Sequence, residues 1–265
     1  MRQLPVKQSG SERQSESARK MLGAKILDLV FPPRCAGCTA CSQTIFCPQC
    51  ARKLKPIAPS VCFCCGAPFD VSARVLPDSL CAACRDNRYH RAPILDQRRA
   101  PFEYSGPIRR AIHALKYHGK TALAAPLANL LAEYSQFQNS GQLLAETNVI
   151  VPIPLHSVRQ WRRGYNQSTL LAQELGKLAQ LPVAELLRRT RHTIPQVELH
   201  ADERTQNVKG AFAINERAWP EYSGAQNILL IDDVATTGAT LEECARALKQ
   251  RGAARVCALT LARID

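Results

Sequence analysis

Two groups of residues in this 265-residue chain have types and spacings that could do chemistry. The first is a run of cysteines: ten of the 12 lie between Cys35 and Cys84, and eight of those ten form four Cys-x-x-Cys pairs. A Cys-x-x-Cys turn places two thiolates on one side of a tight knuckle, and two knuckles complete a tetrahedral shell around Zn²⁺. The four pairs therefore predict two closed, structural zinc sites.

The spacing leaves the grouping of these cysteines open. Pairing in sequence order gives one site from Cys35, Cys38, Cys47 and Cys50 and a second from Cys62, Cys65, Cys81 and Cys84. A crossed pairing is the alternative, and Cys41 or Cys64 could replace a ligand in either site. A thioredoxin-like redox pair is disfavoured, because no βαβ pattern surrounds any of the pairs.

The cysteine block is expected to be a structural clip. A closed shell of four cysteines leaves no open position for catalysis, and metal binding supplies folding free energy to a segment with little core. A platform for nucleic acid or a partner is the alternative. It depends on the basic residues around the block, which are Arg52, Lys53, Lys55, Arg85, Arg88, Arg91, Arg98 and Arg99. These residues are equally consistent with a solvated surface.

The second group lies in the segment from Ile228 to Thr240. Apolar residues predict a buried strand, Asp232 and Asp233 stand at its end, and a loop of small and hydroxyl residues opens into a helix. Backbone N–H groups and threonine hydroxyls at a helix N-terminus donate to phosphate, and a glycine lets the backbone approach it. The loop residues predicted to bind phosphate are Ala235, Thr236, Thr237, Gly238, Ala239 and Thr240. The two aspartates would accept hydrogen bonds from ribose hydroxyls, so the segment predicts a sugar-phosphate site.

Alternating strands and helices position this segment. The apolar pattern predicts helices over 107–118, 121–137, 164–180 and 239–250 and strands over 148–153, 227–231 and 255–261. This order favours an α/β fold with a parallel sheet and flanking helices. The predicted domains are a disordered tail over 1–20, a helix plus double zinc module over 21–97, and the α/β domain over 98–265.

Composition and charge limit the class of protein. Hydrophobic residues make up 46% and charged residues 22% of the chain, which excludes a wholly disordered, collagen-like or coiled-coil protein. A net charge of +13 favours polyanionic partners such as phosphate-rich ligands or nucleic acid. No run approaches the roughly 18 apolar residues of a membrane span, and no secretory signal precedes the cysteines. The chain is expected to be cytoplasmic.

The segment from Ile228 to Thr240 resembles the 5-phosphoribosyl 1-diphosphate (PRPP) motif of the type I phosphoribosyltransferases. With its cysteine block, the chain is similar to the ComF/GntX family, the late-competence ComFC-like proteins, which join an N-terminal zinc ribbon to such a domain. Further matching pieces are Phe31 to Cys38, Leu115 to Tyr117, Val151 to Pro154, Arg162 to Gln167, and Gln196 with Arg204 and Asn207. The resemblance covers the chain from about residue 21 to its end. It implies a type I phosphoribosyltransferase-like sheet preceded by a small zinc-ribbon module.

The resemblance also implies roles for residues outside the PRPP motif. Val151 to His156 would be the diphosphate-binding loop, and Arg188 to Arg204 the mobile loop that closes over PRPP. The implied substrate-binding residues are Pro152, Ile153, Pro154, Arg159, Arg163, Asn166, Gln167 and Lys116. His156, His192 and His200 are candidates for a general base by residue type alone. The acceptor side of the pocket is expected to be shaped by the zinc block and the segment to Gln97.

Two classes of function follow from the resemblance. An enzyme would transfer the ribosyl group from PRPP to an unknown acceptor, with Asp232 and Asp233 meeting the positive charge that develops at the ribose carbon. Mg²⁺ would bridge diphosphate and ribose oxygens. The alternative is a non-catalytic protein that binds single-stranded DNA or competence proteins, because the family is associated with DNA uptake and the use of external DNA. The sequence lacks the interleaved aromatic residues of a strong single-strand platform.

Overall fold

A computed structural model of the chain describes residues 32–69, 76, 78–90, 94–136, 141–191 and 206–264. The predicted tail over 1–20 and the helix predicted after it lie outside these residues.

The cysteine-rich segment contains two knuckles of the same construction, 27 residues apart. The amide of Cys35 donates to Ala40 at 2.8 Å, and the amide of Cys62 donates to Ala67 at the same distance. Isolated antiparallel bridges close both turns, one from Arg34 to Cys41 and one from Val61 to Pro68. A short helix follows each knuckle, α1 (Pro48–Ala51) and α2 (Ala82–His90). The segment is therefore a tandem of two similar ribbons.

The C-terminal half is built on a five-stranded parallel sheet. Its strands are β1 (Gln97–Arg99), β2 (Phe102–Glu103), β3 (Val149–Pro152), β6 (Asn227–Ala235) and β7 (Arg255–Arg263), in the order β1-β7-β6-β3 with β2 also paired to β7. Strands β4 (Leu187–Arg189) and β5 (Phe212–Ile214) form a separate antiparallel pair. The carboxyl ends of β3 and β6 meet at one edge, which is where side chains from different parts of the chain can converge.

Helices cover both faces of the sheet. They are α3 (Gly106–Tyr117), α4 (Ala124–Gln136), α5 (Gly141–Ala145), α6 (Ser157–Arg163), α7 (Gln167–Ala179) and α8 (Ala239–Gln250), with 3₁₀ turns at Thr121–Leu123 and Trp219–Tyr222. Along β6, Leu229 and Ile231 face the core made by α3, α4 and α7. Ile228 and Leu230 face the opposite core, which α8 and the β4–β5 pair complete. Burial on both faces explains why this strand reads as an unbroken apolar run.

The predicted fold class is confirmed, and its element boundaries differ in physically informative ways. Helix α8 has the predicted bounds. Strand β6 continues four residues past the predicted end at Ile231, so Asp232 and Asp233 belong to the strand itself. The predicted helix over 164–180 begins only at Gln167, because Gly164 adopts φ 81° and ends the preceding helix α6. Strand β1 begins one residue before the boundary predicted at 98.

The interpretation of Arg98 and Arg99 as solvated surface residues is wrong. Both lie in the edge strand β1, where Arg99 is only 3% exposed and Arg98 is half-buried. The Arg99 guanidinium donates to the carbonyl of Phe63 at 2.9 Å, and Arg98 Nε donates to the carbonyl of Cys65 at 3.2 Å. Backbone carbonyls of the second knuckle thus satisfy both cations, which is the condition for burying them.

The sequence predicts no segment long and apolar enough to span a membrane. Along the described ranges, no helix is both long and apolar enough to cross a bilayer.

Candidate functional site

The cysteine sulfurs form two compact groups that follow sequence order. Within each group, one Sγ atom from each cysteine lies within 4.8 Å of the others. The groups are Cys35, Cys38, Cys47 and Cys50, and Cys62, Cys65, Cys81 and Cys84. Four thiols converging on one point are the donor set of a structural zinc site. The crossed pairing is wrong, because the two ribbons are successive in the chain and each closes on itself.

Backbone amides point at one sulfur in each group. In the first group, the amides of Gly37 and Cys47 donate to Cys35 Sγ at 3.3 and 3.2 Å. In the second, the amide of Cys81 donates to Cys62 Sγ at 3.3 Å. A hydrogen bond from the Cys65 thiol, aided by backbone amides, lowers the pKa of Cys62 to about 4. N–H groups directed at sulfur stabilise thiolate, which is the form that binds a metal ion.

Cys41 and Cys64 belong to neither group. Cys41 is exposed and takes part in the bridge that closes the first knuckle. Cys64 is buried, with its sulfur 3.8 Å from the carbonyl of Leu95, and it occupies in the second knuckle the place that Gly37 has in the first. The Cys64 thiol hydrogen-bonds to Cys84, but neither Cys41 nor Cys64 is among the four sulfurs that converge in either group.

A cavity of about 440 Å³ opens at the carboxyl ends of β3 and β6. Of the predicted site residues, those that line it are Lys116, Ile153, Pro154, Arg159, Arg163, Gln167, Asp232, Asp233, Thr236 and Thr240. The predicted residues Pro152, Asn166, Ala235, Thr237, Gly238 and Ala239 are not among the lining residues. The cavity thus gathers predicted site residues that are up to 124 positions apart in the sequence, from Lys116 to Thr240.

The two aspartates at the end of β6 have different surroundings. Asp232 is half-buried, and its Oδ1 accepts hydrogen bonds from Ser168 Oγ at 2.8 Å and from the amide of Asp233 at 2.9 Å. Asp233 is 1% exposed, and its Oδ2 lies 2.5 Å from the ammonium of Lys116. Its Oδ1 accepts a hydrogen bond from the Gln167 amide at 3.4 Å. Asp233 is thus fixed by partners, while Asp232 retains carboxylate surface toward the cavity.

Burial and charge set the ionisation of this trio. Burial and the adjacent Asp233 carboxylate raise the pKa of Asp232 to about 7. Burial alone would lower the pKa of Lys116, but Asp233 and then Asp232 outweigh it and hold that pKa above its ordinary value. Lys116 is therefore a fixed cation, and Asp232 is the carboxyl group whose charge can change near neutral pH.

The Arg-Arg-Gly-Tyr-Asn-Gln segment connects three parts of the site. The hydroxyl of Tyr165 donates to the carbonyl of Leu115, next to Lys116. Asn166 caps α7, because its Oδ1 accepts from the amide of Ser168 at 3.0 Å while its amide donates to the carbonyl of Ile153 at 2.9 Å. Asn166 was predicted to bind substrate, but in the structure both ends of its side chain are used to hold the 153 loop against α7.

The loop over 236–240 turns from β6 into α8. Gly238 adopts φ 86°, which a side chain would disfavour, and it is the residue that precedes α8. The amide of Ala239 donates to Thr237 Oγ1 at 3.3 Å, so this hydroxyl caps the loop internally. Thr236 and Thr240 are the loop residues that face the cavity. Two hydroxyls and a helix N-terminus next to an open space are suited to a phosphate group.

Another side of the cavity comes from α3 and from the residues that follow β2 and β7. The lining residues there are Tyr104, Arg109, His113, Tyr117 and Ile264. None of these lining residues comes from the described part of the zinc block, so the expectation that this block shapes the acceptor side stays a prediction. The first ribbon packs on the first turn of α3, at Pro107.

His113 is a lining residue that sequence reasoning missed. Its ring lies 5.0 Å from that of Tyr117, and burial, with Arg109, lowers its pKa below the ordinary value. A neutral imidazole can accept a proton. The only signal in the sequence was its place one turn before Tyr117 on the polar face of α3. Of the histidines considered from type alone, His156 caps α6 by accepting from the amide of Val158 at 3.3 Å, and His192 and His200 lie outside the described residues.

The predicted mobile loop is described only at its ends. Arg189 lines the cavity and lies over the ring of Phe212 at 5.2 Å, whereas Arg188 is exposed on the other face of β4. Beyond the strand, Arg191 donates to the carbonyl of Asn207 at 3.3 Å. Gln196 and Arg204 lie outside the described residues.

Comparisons with known proteins agree with this division of the chain. Residues 26–85 match a family described as "Double zinc ribbon domain". Residues 162–264 match one described as "Phosphoribosyl transferase domain". The two matches fall on the cysteine groups and on the aspartate-bearing cavity, respectively.

Three curated proteins illustrate the similarity over longer stretches. Competence protein F from Haemophilus influenzae is 34% identical over 163 residues, which are 60% of this chain and 69% of that protein. DNA utilization protein YhgH from Salmonella typhimurium is 32% identical over 232 residues, 86% of this chain and 96% of that protein. Competence protein ComFC from Bacillus subtilis is 31% identical over 228 residues, 82% of this chain and 83% of that protein.

Proposed function

We propose that this chain, which belongs to the ComF family, binds PRPP with Mg²⁺ in the cavity at the end of β6 and transfers its ribosyl group to an acceptor. The observation that carries the proposal is the pairing of Asp232 and Asp233 with the loop over 236–240 at the edge of one cavity. A phosphate bound by the loop and a ribose bound by the aspartates would together make up a phosphoribosyl group.

The cations of the cavity support a polyanionic ligand. Its lining includes Lys116 and four arginines, Arg109, Arg159, Arg163 and Arg189, against the two aspartates. Lys116 already neutralises Asp233 at 2.5 Å, so the arginine charges are balanced by Asp232 alone within the lining. A ligand that carries a phosphate and a diphosphate would complement this excess of positive charge.

Each group of the cavity has a part in the proposed reaction. The bond from the ribose C1 atom to diphosphate breaks with its electron pair leaving on the diphosphate, and the acceptor forms the new bond to C1. Asp232 would accept a hydrogen bond from a ribose hydroxyl and stabilise the positive charge on the ring. Arg159 and Arg189 would stabilise the departing diphosphate, and neutral His113 would take the proton from the acceptor.

Mg²⁺ would be held chiefly by ligand oxygens and waters, with Asp232 as the protein carboxylate that retains free surface. When bound, the ion neutralises charge on the leaving diphosphate.

The two clusters of cysteines are proposed to hold structural zinc. A closed set of four thiols in each ribbon fits that role. Reduced thiols in such number also favour a cytoplasmic location, which is part of the proposal.

Separate halves of PRPP test the assignment of each end. Ribose 5-phosphate is expected to bind at the loop and Mg-diphosphate at the arginine end. Thr240→Val should weaken ribose 5-phosphate binding about tenfold, equivalent to about 1.4 kcal/mol, and leave diphosphate binding unchanged. Arg159→Gln should weaken Mg-diphosphate binding about tenfold and leave ribose 5-phosphate binding unchanged. Variants that weaken both ligands equally would contradict the two-ended site.

A second candidate function is binding of single-stranded DNA by α6. Trp161 is 84% exposed, and Arg159 and Arg162 are carried by the same helix. Tyr117, near the cavity mouth, is 57% exposed. Exposed aromatic rings among cations are the elements of a single-strand platform, and two of the relatives named above are called competence proteins and the third a DNA utilization protein. In this second candidate function, competence proteins would be the protein partners.

Tryptophan fluorescence can test this candidate directly, since the chain has two tryptophans and the other, Trp219, is buried. Oligothymidine should quench Trp161 in a salt-dependent manner. Trp161→Ala should weaken oligothymidine binding by about 1–3 kcal/mol without changing PRPP affinity. Quenching that is equal in Trp161→Phe and wild type would contradict an α6 platform.

A further inference from the structure

The second cysteine knuckle reaches the edge of the sheet through three arginines. Arg98 Nε and Arg263 Nη1 both donate to the carbonyl of Cys65 at 3.2 Å, and Arg99 Nη1 donates to the carbonyl of Phe63 at 2.9 Å. The backbone of Arg98 also donates to the carbonyl of Cys64 at 2.8 Å. The carbonyls that accept these hydrogen bonds belong to residues 63–65, in the turn that the sulfurs of Cys62 and Cys65 close, so that turn fixes their directions.

Arg98 also touches the loop proposed to bind phosphate. A Cβ atom at position 238 would lie 2.0 Å from Arg98 Nη1, and Gly238 is buried beneath this guanidinium. On its other side, a Cβ atom at Gly66 would lie 2.4 Å from the carbonyl oxygen of Arg98. Arg98 therefore contacts the second knuckle on one side and the loop on the other. A glycine lies at each contact, Gly66 or Gly238, because a side chain would not fit there.

The position of the Arg98 guanidinium requires support. It lies beside the residue that precedes α8, where the helix dipole is positive. Burial, and then the nearby Arg263, lower the pKa of Arg98. A cation in this position is unfavourable unless acceptors hold it, and among its contacts the Cys65 carbonyl is an acceptor that the second ribbon supplies.

The first cluster contacts the α/β half at α3, and not at the 236–240 loop. Arg110 donates to the carbonyl of Gly37, and a Cβ atom at Gly37 would lie 2.9 Å from Pro107. These contacts lie on α3, beside the cavity-lining Arg109, and not on the 236–240 loop. Ile108, Ile112 and Leu115 are fully buried in a core that also contains Cys35, Phe46 and Cys50, so the first ribbon packs on this helix and not on the 236–240 loop.

We infer that Arg98 is a positioning residue through which the metal-bound second cluster holds Gly238 and the 236–240 loop in the form that binds phosphate, a task that the first cluster does not share. The inference rests on the proposed function of that loop. If the second knuckle loses its metal, the Cys65 carbonyl is no longer fixed, and the Arg98 guanidinium leaves the helix N-terminus for solvent. Gly238 then loses the group that covers it.

A matched pair of cysteine variants tests the asymmetry between the clusters. Cys81→Ser and Cys47→Ser are each expected to release one equivalent of zinc. Only Cys81→Ser should weaken PRPP binding, by about tenfold, and only Cys81→Ser should speed amide hydrogen exchange in residues 238–240. Equal effects of both variants on the loop amides would overturn the inference.

A second pair tests Arg98 itself with the zinc sites intact. Arg98→Met should retain both zinc equivalents, weaken PRPP binding about tenfold and speed exchange at residues 238–240. Arg99→Met removes an equally charged neighbour that contacts the same knuckle but is not in contact with Gly238, and it should leave loop exchange and PRPP affinity unchanged. Unchanged loop exchange in Arg98→Met would contradict the inference.

The exchange measurement separates this inference from the proposed function. If the wild-type protein binds no PRPP, the proposed function fails, and faster loop exchange in Cys81→Ser and Arg98→Met would still show the link between the second cluster and the loop. If the wild type binds PRPP and all four variants bind it equally, the link fails and the proposed function stands.

Discussion

The cysteine-rich half and the α/β half of this chain are held together by different physical means. Among the described residues before 91, the buried apolar side chains other than cysteines are Phe46 and Ile57, and the sulfur clusters do the organising. Between 94 and 264, two apolar cores cover both faces of a sheet, and Cys35, Phe46 and Cys50 of the first ribbon join one of them. The site is therefore supported in two ways. The apolar cores fix its aspartates, and a metal-dependent turn supports its loop.

Removing the metal should have the largest effect and should be confined to one half. Structural zinc contributes about 10–16 kcal/mol of apparent binding free energy in zinc-finger peptides, more than a segment with so small a core can replace. A chelator is expected to unfold the cysteine-rich half while amide hydrogens of β6 stay protected. Hydrogen exchange by mass spectrometry measures both halves at once. Loss of protection in β6 together with the ribbons would show that the halves form one cooperative unit.

Truncating the α/β core should produce the converse result. Leu229 is fully buried at the centre of β6, so Leu229→Ala should lower the free energy of unfolding of this half by about 2–5 kcal/mol. Zinc content should not change. Denaturant unfolding and metal analysis make the measurement, with Leu178→Ala as the control, because Leu178 is 50% exposed and its truncation should cost about 0.5 kcal/mol or less. Zinc loss in Leu229→Ala would contradict the separation.

This division also explains what the sequence could predict. Both cysteine groups and the acid pair with its loop are local patterns, in which a few adjacent residue types carry the chemistry. Helix α8 has its predicted bounds because Gly238 and an amphipathic run mark it locally. The 2.5 Å contact of Lys116 with Asp233 joins residues 117 positions apart, and no local pattern records which side chains meet across a sheet.

The burial of Arg98 and Arg99 is a second feature that the sequence could not predict. Their residue type indicates a solvated surface, and β1 is too short and too polar to give a strand signal. They are buried because the acceptors are backbone carbonyls of a turn more than 30 residues earlier in the chain. A backbone carbonyl has the same chemistry at every position, so the sequence carries no mark of it.

The pH dependence of stability should differ in sign between the halves. Burial raises the folded-state pKa of Asp232 from 3.8 to about 7. A raised pKa means that the contribution of this group is fully present below about pH 4 and is lost as pH rises through 7. The cysteine clusters should instead gain stability as pH rises, because metal binding needs thiolates. Urea unfolding of the α/β half from pH 5 to 8 should therefore show a wild-type loss that Asp232→Asn removes. A difference between the two proteins that does not change with pH would contradict this assignment.

An exposed ion pair across the two halves should matter least. Lys55 in the cysteine-rich half lies 3.3 Å from Glu103 in β2, and both side chains are largely in solvent. Exposed pairs contribute about 0–1 kcal/mol. Lys55→Ala should change thermal stability within that range at any salt concentration. A larger loss would mean that the surface, and not the buried arginines, joins the halves.

The most direct test of the central claim is calorimetry of PRPP binding to zinc-loaded protein, with and without Mg²⁺. Wild type should bind PRPP in a Mg²⁺-dependent manner. The Asp232→Asn, Asp233→Asn double variant should bind at least about 100-fold more weakly, a loss of about 2.7 kcal/mol, with its folding verified by protection of β6. Folded, zinc-loaded wild type that releases no heat with PRPP, or a folded double variant with unchanged affinity, would contradict the assignment of the cavity as a phosphoribosyl site.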